Sequence, residues 1–182
     1  MATKALSKFD APKNITNNEK KLGDNDFIVS KTDTAGKIIY CNEIFAQMAG
    51  YPPADLIGAN HNLIRHPDMP RVAFKLVWDK IKNKEEFFGF VKNLSADGGY
   101  YWVLAYITAD LDSSGRIVSY TSVRRKPPQS AIDAITPIYK LLKDAEQTGG
   151  MDASAKILQD FLAQHKLEYD EFVINLQKGA RI

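Results

Sequence analysis

Residues 61–70 read HNLIRHPDMP and concentrate side chains that can do chemistry. Two of the chain's three histidines, His61 and His66, lie in this run together with Arg65 and Asp68. Histidine can bind a metal or move a proton, arginine binds phosphate groups, and aspartate can orient a histidine ring. The run is therefore compatible with a metal site, a catalytic centre, a cofactor-binding loop or a polar turn.

A metal site is the weakest of these interpretations. The spacing of His61, His66 and Asp68, H-x4-H-x-D, is not typical of a known metal site, and it falls in a predicted loop. A haem with a single axial histidine stays open, because one protein ligand is enough to hold it. None of the histidines has a context that marks it as that ligand.

Catalytic turnover has no signature in this chain. The sequence contains no P-loop, no G-x-G-x-x-G, no G-x-S-x-G and no H-E-x-x-H motif. The single cysteine, Cys41, falls at the end of a predicted strand, where a small side chain packs well. We therefore expect that the protein is not an enzyme.

A cofactor-binding loop accounts for the whole run. Arg65 offers a planar fork of donors, and a neutral His66 can donate from one ring nitrogen while Asp68 fixes the other. Pro67 and Pro70 would stiffen the loop before a ligand arrives. Composition is equally compatible with an ion pair between Arg65 and Asp68 in which Asp68 also caps the next helix.

Two residues outside the run are further candidates. Trp78 falls on a predicted helix, where an indole either fills the core or stacks on a flat ligand. Asn93 lies in the middle of a predicted strand, where asparagine is uncommon, on the same face as Val91 and Ser95. Its amide can both donate to and accept from a heterocycle, although an exposed position on an edge strand is equally compatible with the pattern.

Periodicity predicts the elements that position these residues. Helical spacing follows Asn42, which can cap a helix that Gly50 ends, and it recurs in the segments PPADLIG and DMPRVAFKLVWDKIKNK. Alternating apolar residues between turn signals predict five strands, at 26–31, 37–41, 87–95, 100–109 and 116–124. This order predicts an α+β fold, with a five-stranded antiparallel sheet, short helices over one face, and a cavity between them that suits a small molecule.

The chain divides into three parts. Residues 1–24 are polar and lack periodicity, which predicts a flexible or loosely docked N-terminal lead-in. Residues 25–126 contain the predicted sheet. Residues 127–182 are helical, with one helix at 130–146 that Pro137 kinks, a break at Gly149 and Gly150, and a long amphipathic helix after Asp152. These helices must bury their apolar faces on the sheet, on each other or on a partner.

Composition excludes several classes of protein. With 182 residues, 45% of them hydrophobic, and a net charge of +2, the chain is globular and lacks the basic surface that nucleic-acid binding requires. One cysteine cannot form an internal disulfide. No apolar stretch is long enough for a signal peptide or a membrane span. We therefore expect a cytoplasmic protein without direct membrane insertion.

Three segments together resemble a known family. The strings NEIFAQMAGY, HNLIRHPDMPRVAFKLVWDKIK and GFVKNLSADGGYYWVLA are similar to the sensory PAS domain of bacterial aerotaxis and energy-taxis receptors, over about residues 20–145. The resemblance implies a PAS fold for residues 25–126, non-covalent binding of FAD, and sensing of redox or energy state. It also implies that the cofactor is bound by Arg65, His66, Asp68, Trp78 and Asn93. His61 is expected to be a bystander.

The resemblance also has departures. Phe87 stands where the family has a second tryptophan. Receptors of this family continue into membrane-spanning, HAMP and signalling segments, which are absent before this chain ends at Ile182. The resemblance thus implies a stand-alone PAS protein that acts on a separate membrane-bound chemotaxis transducer, with residues 127–182 as a signalling or dimerisation segment. A fragment of a longer receptor, a haem-binding gas sensor and a cofactor-free PAS module that forms a homodimer are the alternatives.

Overall fold

A computed structural model describes residues 5–180 and contains one five-stranded antiparallel sheet. The strands follow the order β2-β1-β5-β4-β3 across the sheet, so the two N-terminal strands join the three C-terminal strands through the pairing of β1 with β5. All five predicted strands are present and shift by no more than a few residues: β1 Ile28–Thr32, β2 Ile38–Cys41, β3 Phe87–Leu94, β4 Tyr100–Leu111 and β5 Ile117–Arg125. The predicted α+β fold is confirmed.

The segment between β2 and β3 forms the helical layer over one face of the sheet. It contains α1 (Glu43–Ala49), α2 (Pro53–Leu56), a 3-10 turn at His61–Ile64 and α3 (Arg71–Lys82). The Asn42 side chain accepts from the Phe45 backbone at 3.1 Å, and Gly50 ends α1 in the left-handed region, as the sequence predicts. Apolar side chains of this layer pack on the inward residues of β1, β2 and β4 and form one core.

The C-terminal helices cover the other face of the sheet at β3 and β4. They are α4 (Gln129–His165) and α5 (Tyr169–Gln177). Tyr139 of α4 stacks on Trp102 with 6.3 Å between ring centroids, and its hydroxyl donates to the Phe90 carbonyl at 2.7 Å. Although α4 is long, no helix within residues 5–180 is long and apolar enough to cross a membrane.

The course of the C-terminal helices corrects one prediction. The predicted break falls at Gly150, whose φ of 68° and ψ of −168° interrupt α4, whereas the helix passes through Pro137. The single long helix predicted after Asp152 is wrong, because α4 ends at Lys166 in the left-handed region and α5 starts a new helix. A straight helix would carry the buried apolar residues of α5 away from the sheet, and the turn returns them to the core.

The N-terminus of α3 is capped from a distant part of the chain. Asp68 was expected to cap this helix, but its N-cap is Pro70, which has no capping side chain. Instead, the Glu146 carboxylate accepts from the backbone N–H groups of Arg71 at 2.9 Å and Val72 at 2.8 Å. Local spacing could not reveal a cap that lies 75 positions further along the chain. Asp68 accepts instead from the Lys92 ammonium at 2.7 Å.

Part of the N-terminal lead-in is attached to the sheet domain. The Thr16 N–H donates to the Gly98 carbonyl at 2.9 Å, and the Lys20 N–H donates to the Tyr100 carbonyl at 2.7 Å. Leu22 is buried in the core below α1. Residues 16–22 are thus docked, where the sequence indicated only a flexible or loosely docked segment.

Tyr139→Phe tests how firmly α4 is held on the sheet. The substitution leaves the buried Phe90 carbonyl without its partner, so we expect the free energy of unfolding to fall by about 1–2 kcal/mol. Urea denaturation measures the change. Tyr106→Phe is the matched control, because its hydroxyl bonds to Glu86 at the exposed surface and should be worth about 0.5 kcal/mol or less. Equal losses in the two variants would contradict the assignment.

Candidate functional site

A cavity of about 350 Å³ lies between the inner face of the sheet, α3 and the 3-10 turn. This volume is within the range typical of small-molecule sites. Most of its surface is apolar or aromatic, although half of the residues that line it are polar or charged. The polar and charged members of the wall are Ser30, Thr32, Asn60, His61, Asn62, Arg65, Asn93, Ser122 and Arg124.

The structure separates the five residues predicted to bind a cofactor into two groups. Arg65, Trp78 and Asn93 line the cavity, although they come from the loop, the helix and the strand. His66 and Asp68 do not line it. Among the five predicted residues, direct contact with a ligand in this cavity is thus available to the first three.

Asn93 places a buried, unpaired amide in the wall of the cavity. The residue is only 2% exposed, and its Nδ2 group has no hydrogen-bond partner among the described residues. The backbone of Asn93 also bridges to Arg65, which places the loop beside β3. A buried N–H donor without a partner is unfavourable by about 1–3 kcal/mol, so the position favours a ligand that accepts from it.

Arg65 is held over the cavity by its own loop. Its guanidinium lies 4.0 Å from the centroid of the Phe74 ring and donates to the Met69 carbonyl at 3.3 Å. Burial lowers the pKa of Arg65, and the negative charge of Glu146 partly opposes that effect. The loop thus presents a positioned cation to the cavity.

Arg124 is a site residue that the sequence did not reveal, and it contacts His61. Arg124 is 4% exposed, and its Nη2 donates to Ser30 Oγ at 2.9 Å and to His61 Nε2 at 2.6 Å. Its Nη1 has no partner within residues 5–180, and burial lowers the pKa of the guanidinium to about 10. The only local signal is that Arg124 shares its strand face with Tyr120 and Ser122.

His61, expected to be a bystander, is part of the cavity wall. Its ring stacks on Phe45 with centroids 5.7 Å apart. Burial, and then the charge of Arg124, lower the pKa of His61 to about 3. The ring is therefore neutral at physiological pH, and its Nε2 is the acceptor of the Arg124 bond, which places the ring proton on Nδ1.

His66 and Asp68 shape the loop from behind the cavity. His66 is 3% exposed, its Nδ1 accepts from the Asp68 backbone N–H at 3.1 Å, and its ring meets the edge of Tyr100. Asp68 thus orients the His66 ring, as expected, but it does so through its backbone N–H and not through its carboxylate. The Asp68 carboxylate pairs with Lys92 and lies 3.8 Å from Lys143, so the alternative ion pair with Arg65 is wrong.

Trp78 forms part of an aromatic wall. Its ring meets Tyr120 of β5 edge to face, with centroids 5.5 Å apart, and both residues line the cavity. Phe87 lies behind this wall and stacks on Tyr169 of α5. A flat ligand can pack on such a surface.

The cavity wall carries positive charge without negative charge among the described residues. Two arginines line it, and no aspartate or glutamate in the described part of the chain does. The cavity therefore favours a ligand that is anionic, or that carries oxygen and nitrogen acceptors at its edge. The described residues also contain no cluster of three or more histidine, cysteine, aspartate or glutamate side chains that could hold a metal ion.

The sheet, its helical layer and the cavity together define a PAS sensor domain. Residues 38–124 match the family model described as PAS fold. The chain contains a PAS domain and is a homologue of an aerotaxis receptor.

The relatives place this domain among signalling proteins. The chain is 37% identical to the aerotaxis receptor of Escherichia coli K12 over 128 residues, which are 70% of this chain and 25% of the receptor. It is 31% identical to the nitrogen fixation regulatory protein of Klebsiella oxytoca over 97 residues, which are 53% of this chain and 20% of that protein. The chain thus spans a quarter or less of these two relatives.

Two solved structures with the same fold are light-oxygen-voltage domains. One, described with a flavin analogue, has a TM-score of 0.54 at 24% identity and covers 61% of this chain and 83% of its own. The light state of the Aureochrome1 domain has a TM-score of 0.52 at 23% identity and covers 68% and 91%. At this identity the likeness establishes the fold alone.

Stability should fall in mild acid because neutral histidines are buried. Burial, and then the charge of Lys92, lower the pKa of His66 from its ordinary 6.5 to about 4. Between these values the unfolded chain binds the additional proton, so the contribution of His66 is complete above pH 6.5 and falls as the pH is lowered toward 4. We expect the free energy of unfolding to be about 1–2 kcal/mol lower per buried histidine at about pH 5 than at about pH 7.5.

Urea denaturation at the two pH values measures this effect in the wild type and in His66→Gln. The variant should lose part of the difference between the two pH values, because a glutamine does not titrate. A variant with the full wild-type difference would exclude His66 as one of the titrating groups.

Proposed function

We propose that this protein is a redox or energy-state sensor that binds FAD non-covalently in the PAS cavity. Its resemblance to aerotaxis receptors and its 37% identity to one of them support this proposal. The observation that carries it is two buried, unpartnered N–H donors on residues of the cavity wall, Asn93 Nδ2 and Arg124 Nη1. A ligand with acceptor atoms at its edge would satisfy both.

The wall residues fit a flavin ring in shape and in chemistry. Trp78, Val91 and Ile107 supply apolar surface on different sides of the cavity, which suits a flat ring. The pyrimidine part of a flavin carries carbonyl oxygens and ring nitrogens that accept hydrogen bonds. When this part of the flavin enters the cavity, the Asn93 amide and the Arg124 guanidinium can donate to these acceptors. Arg65, in the loop, is a donor suited to phosphate or to a ring edge.

Each of these residues would have a definite part in sensing. The flavin, when bound, supplies the electron-transfer chemistry. Arg65 and Arg124 favour added negative charge in a cavity that has no acidic wall residue within 5–180. Asn93 can exchange its donor for its acceptor by rotating its amide, and β3 would carry that change to its neighbours. The proposed role is sensing, without catalytic turnover.

The signal would pass by protein contact. We propose a cytoplasmic protein that acts on a membrane-bound chemotaxis transducer with HAMP and signalling segments, with a homodimer as a further assembly. The support is the identity to a taxis receptor and the C-terminal helices α4 and α5, which follow the sensor domain. If reduction of the cofactor changed the free energy of docking of these helices by about 1.4–3 kcal/mol, the ratio of docked to undocked helices would change about 10- to 150-fold.

The absorption spectrum of the purified protein, with and without dithionite, tests the cofactor. We expect flavin bands that bleach on reduction, and Arg65→Ala should lower the flavin content at least several-fold because it removes a positioned donor. Arg116→Ala, which changes an exposed arginine in the turn before β5, is the matched control and should keep full flavin content. A Soret band would indicate haem, and a spectrum without either would indicate an empty cavity; both outcomes contradict the proposal.

Asn93→Leu should change stability and ligand binding in opposite directions. Without ligand, the substitution removes an unpaired buried amide, so the free energy of unfolding should stay equal or rise by about 1 kcal/mol. The same change removes a donor to the ligand, so the dissociation constant for FAD should rise about tenfold or more. Urea denaturation of the flavin-free protein and titration with FAD measure the two effects. If stability and affinity both fall, Asn93 is a structural residue rather than a ligand contact.

A further inference from the structure

The Glu146 carboxylate connects α3 to both halves of α4. Its side chain is 7% exposed. Oε2 accepts from the Arg71 N–H, and Oε1 accepts from the Val72 N–H at 2.8 Å and lies 3.1 Å from Ser154 Oγ. The Ser154 hydroxyl divides its one proton between Glu146 and the Met151 carbonyl, which lies at 2.9 Å. A buried carboxylate with several donors is held firmly, since its loss of hydration must be offset by those bonds.

The contact between Glu146 and Ser154 spans the interruption in α4. Glu146 precedes Gly150, and Ser154 follows it. A side chain at Gly150 would meet nothing within 4 Å, so this side of the backbone faces open space. Ser154 is fully buried and shares its hydroxyl proton between the Met151 carbonyl and Glu146, so the contact with Glu146 adds to the core packing of Leu158 in joining the second half of α4 to the first, and α5 follows from that second half.

The same carboxylate acts on the wall of the cavity. It caps the first turn of α3, and the next turns of this helix carry Phe74, Val77, Trp78 and Ile81 to the cavity. Its negative charge also acts on Arg65, whose guanidinium lines the cavity. A ligand that changes the charge or the packing at Arg65 or α3 therefore changes the surroundings of Glu146.

From these contacts we propose that Glu146 is a latch that couples the cavity to the docking of the second half of α4 and of α5. This inference rests on the proposed function for the identity of the ligand, while the latch itself is a property of the chain. When the cavity wall is ordered, the first turn of α3 is in place and Glu146 holds Ser154. When the wall loosens, the helices after Gly150 lose that contact.

Coupling of this kind is reciprocal. If FAD favours the docked helices by some factor, the docked helices favour FAD by the same factor. A change at Glu146 should therefore loosen the helices, weaken FAD binding and remove the effect of each on the other. A residue that only contributes to overall stability would not remove that mutual effect.

Hydrogen exchange of the full-length chain, followed by mass spectrometry with and without FAD, tests the latch. In the wild type, FAD should slow exchange in residues 151–177. In Glu146→Gln, exchange should be about ten- to 100-fold faster both in the first turn of α3 and in residues 151–177, and FAD should no longer change the latter. Asp144→Asn, an exposed acid on the same helix that pairs with Lys140, is the matched control and should behave as the wild type.

Ser154→Ala provides a milder test in case Glu146→Gln does not fold. It removes the hydroxyl contacts of Ser154 with Glu146 and Met151 and leaves the α3 cap intact, so exchange should rise in residues 151–177 and not in the first turn of α3. If Glu146→Gln matches Asp144→Asn, or if FAD still slows exchange of the helices in Glu146→Gln, the latch is excluded.

A double-mutant cycle without ligand separates the latch from the proposed cofactor. Trp78→Ala loosens α3 from the cavity side, and it should speed exchange of residues 151–177 in the wild-type background but add little in Glu146→Gln. Equal effects of Trp78→Ala in both backgrounds would overturn the latch. Failure of the wild type to bind FAD would overturn the proposed function, and this cycle would still decide the latch.

Discussion

The position of α3 depends on one buried carboxylate. The N-terminus of a helix leaves several N–H groups without partners, and the residue before α3 is a proline that supplies no capping side chain. Glu146, from the other layer of the molecule, satisfies two of those groups. Because α3 forms one wall of the cavity, a side chain of the C-terminal segment fixes the geometry of the sensor domain. The helices after the PAS core are thus part of the structure of the site.

The cavity itself combines strong polar groups with incomplete pairing. Arg124 is nearly fully buried and donates to the neutral acceptors Ser30 and His61. A buried charge without a counter-charge is unfavourable, and so is the unpaired amide of Asn93. Proteins retain such groups where function requires them. The pattern is what a site for an acceptor-rich or anionic ligand requires, and a purely structural core would not need it.

Much of the fold could be predicted from local pattern. The five strands follow from alternation and turn residues, and α1 follows from its Asn42 cap and its Gly50 stop, because these signals act over a few residues. The predictions failed where contact over long sequence separation decides. Asp68 has the right spacing to cap α3, but it pairs with Lys92 of β3. The helix after Asp152 has continuous periodicity, but packing on the sheet bends it back at Lys166.

The candidate site divides in the same way. The sequence by itself determined the sheet, the polar run at 61–70, and three residues that line the cavity, Arg65, Trp78 and Asn93. It could not separate these from His66 and Asp68, because neighbours in a loop point in different directions once the loop is folded. Only the tertiary structure brought Arg124 beside His61 and Glu146 onto α3, since these hydrogen bonds join residues 63 and 75 positions apart. Local patterns fix the elements, and burial then decides which polar groups must meet.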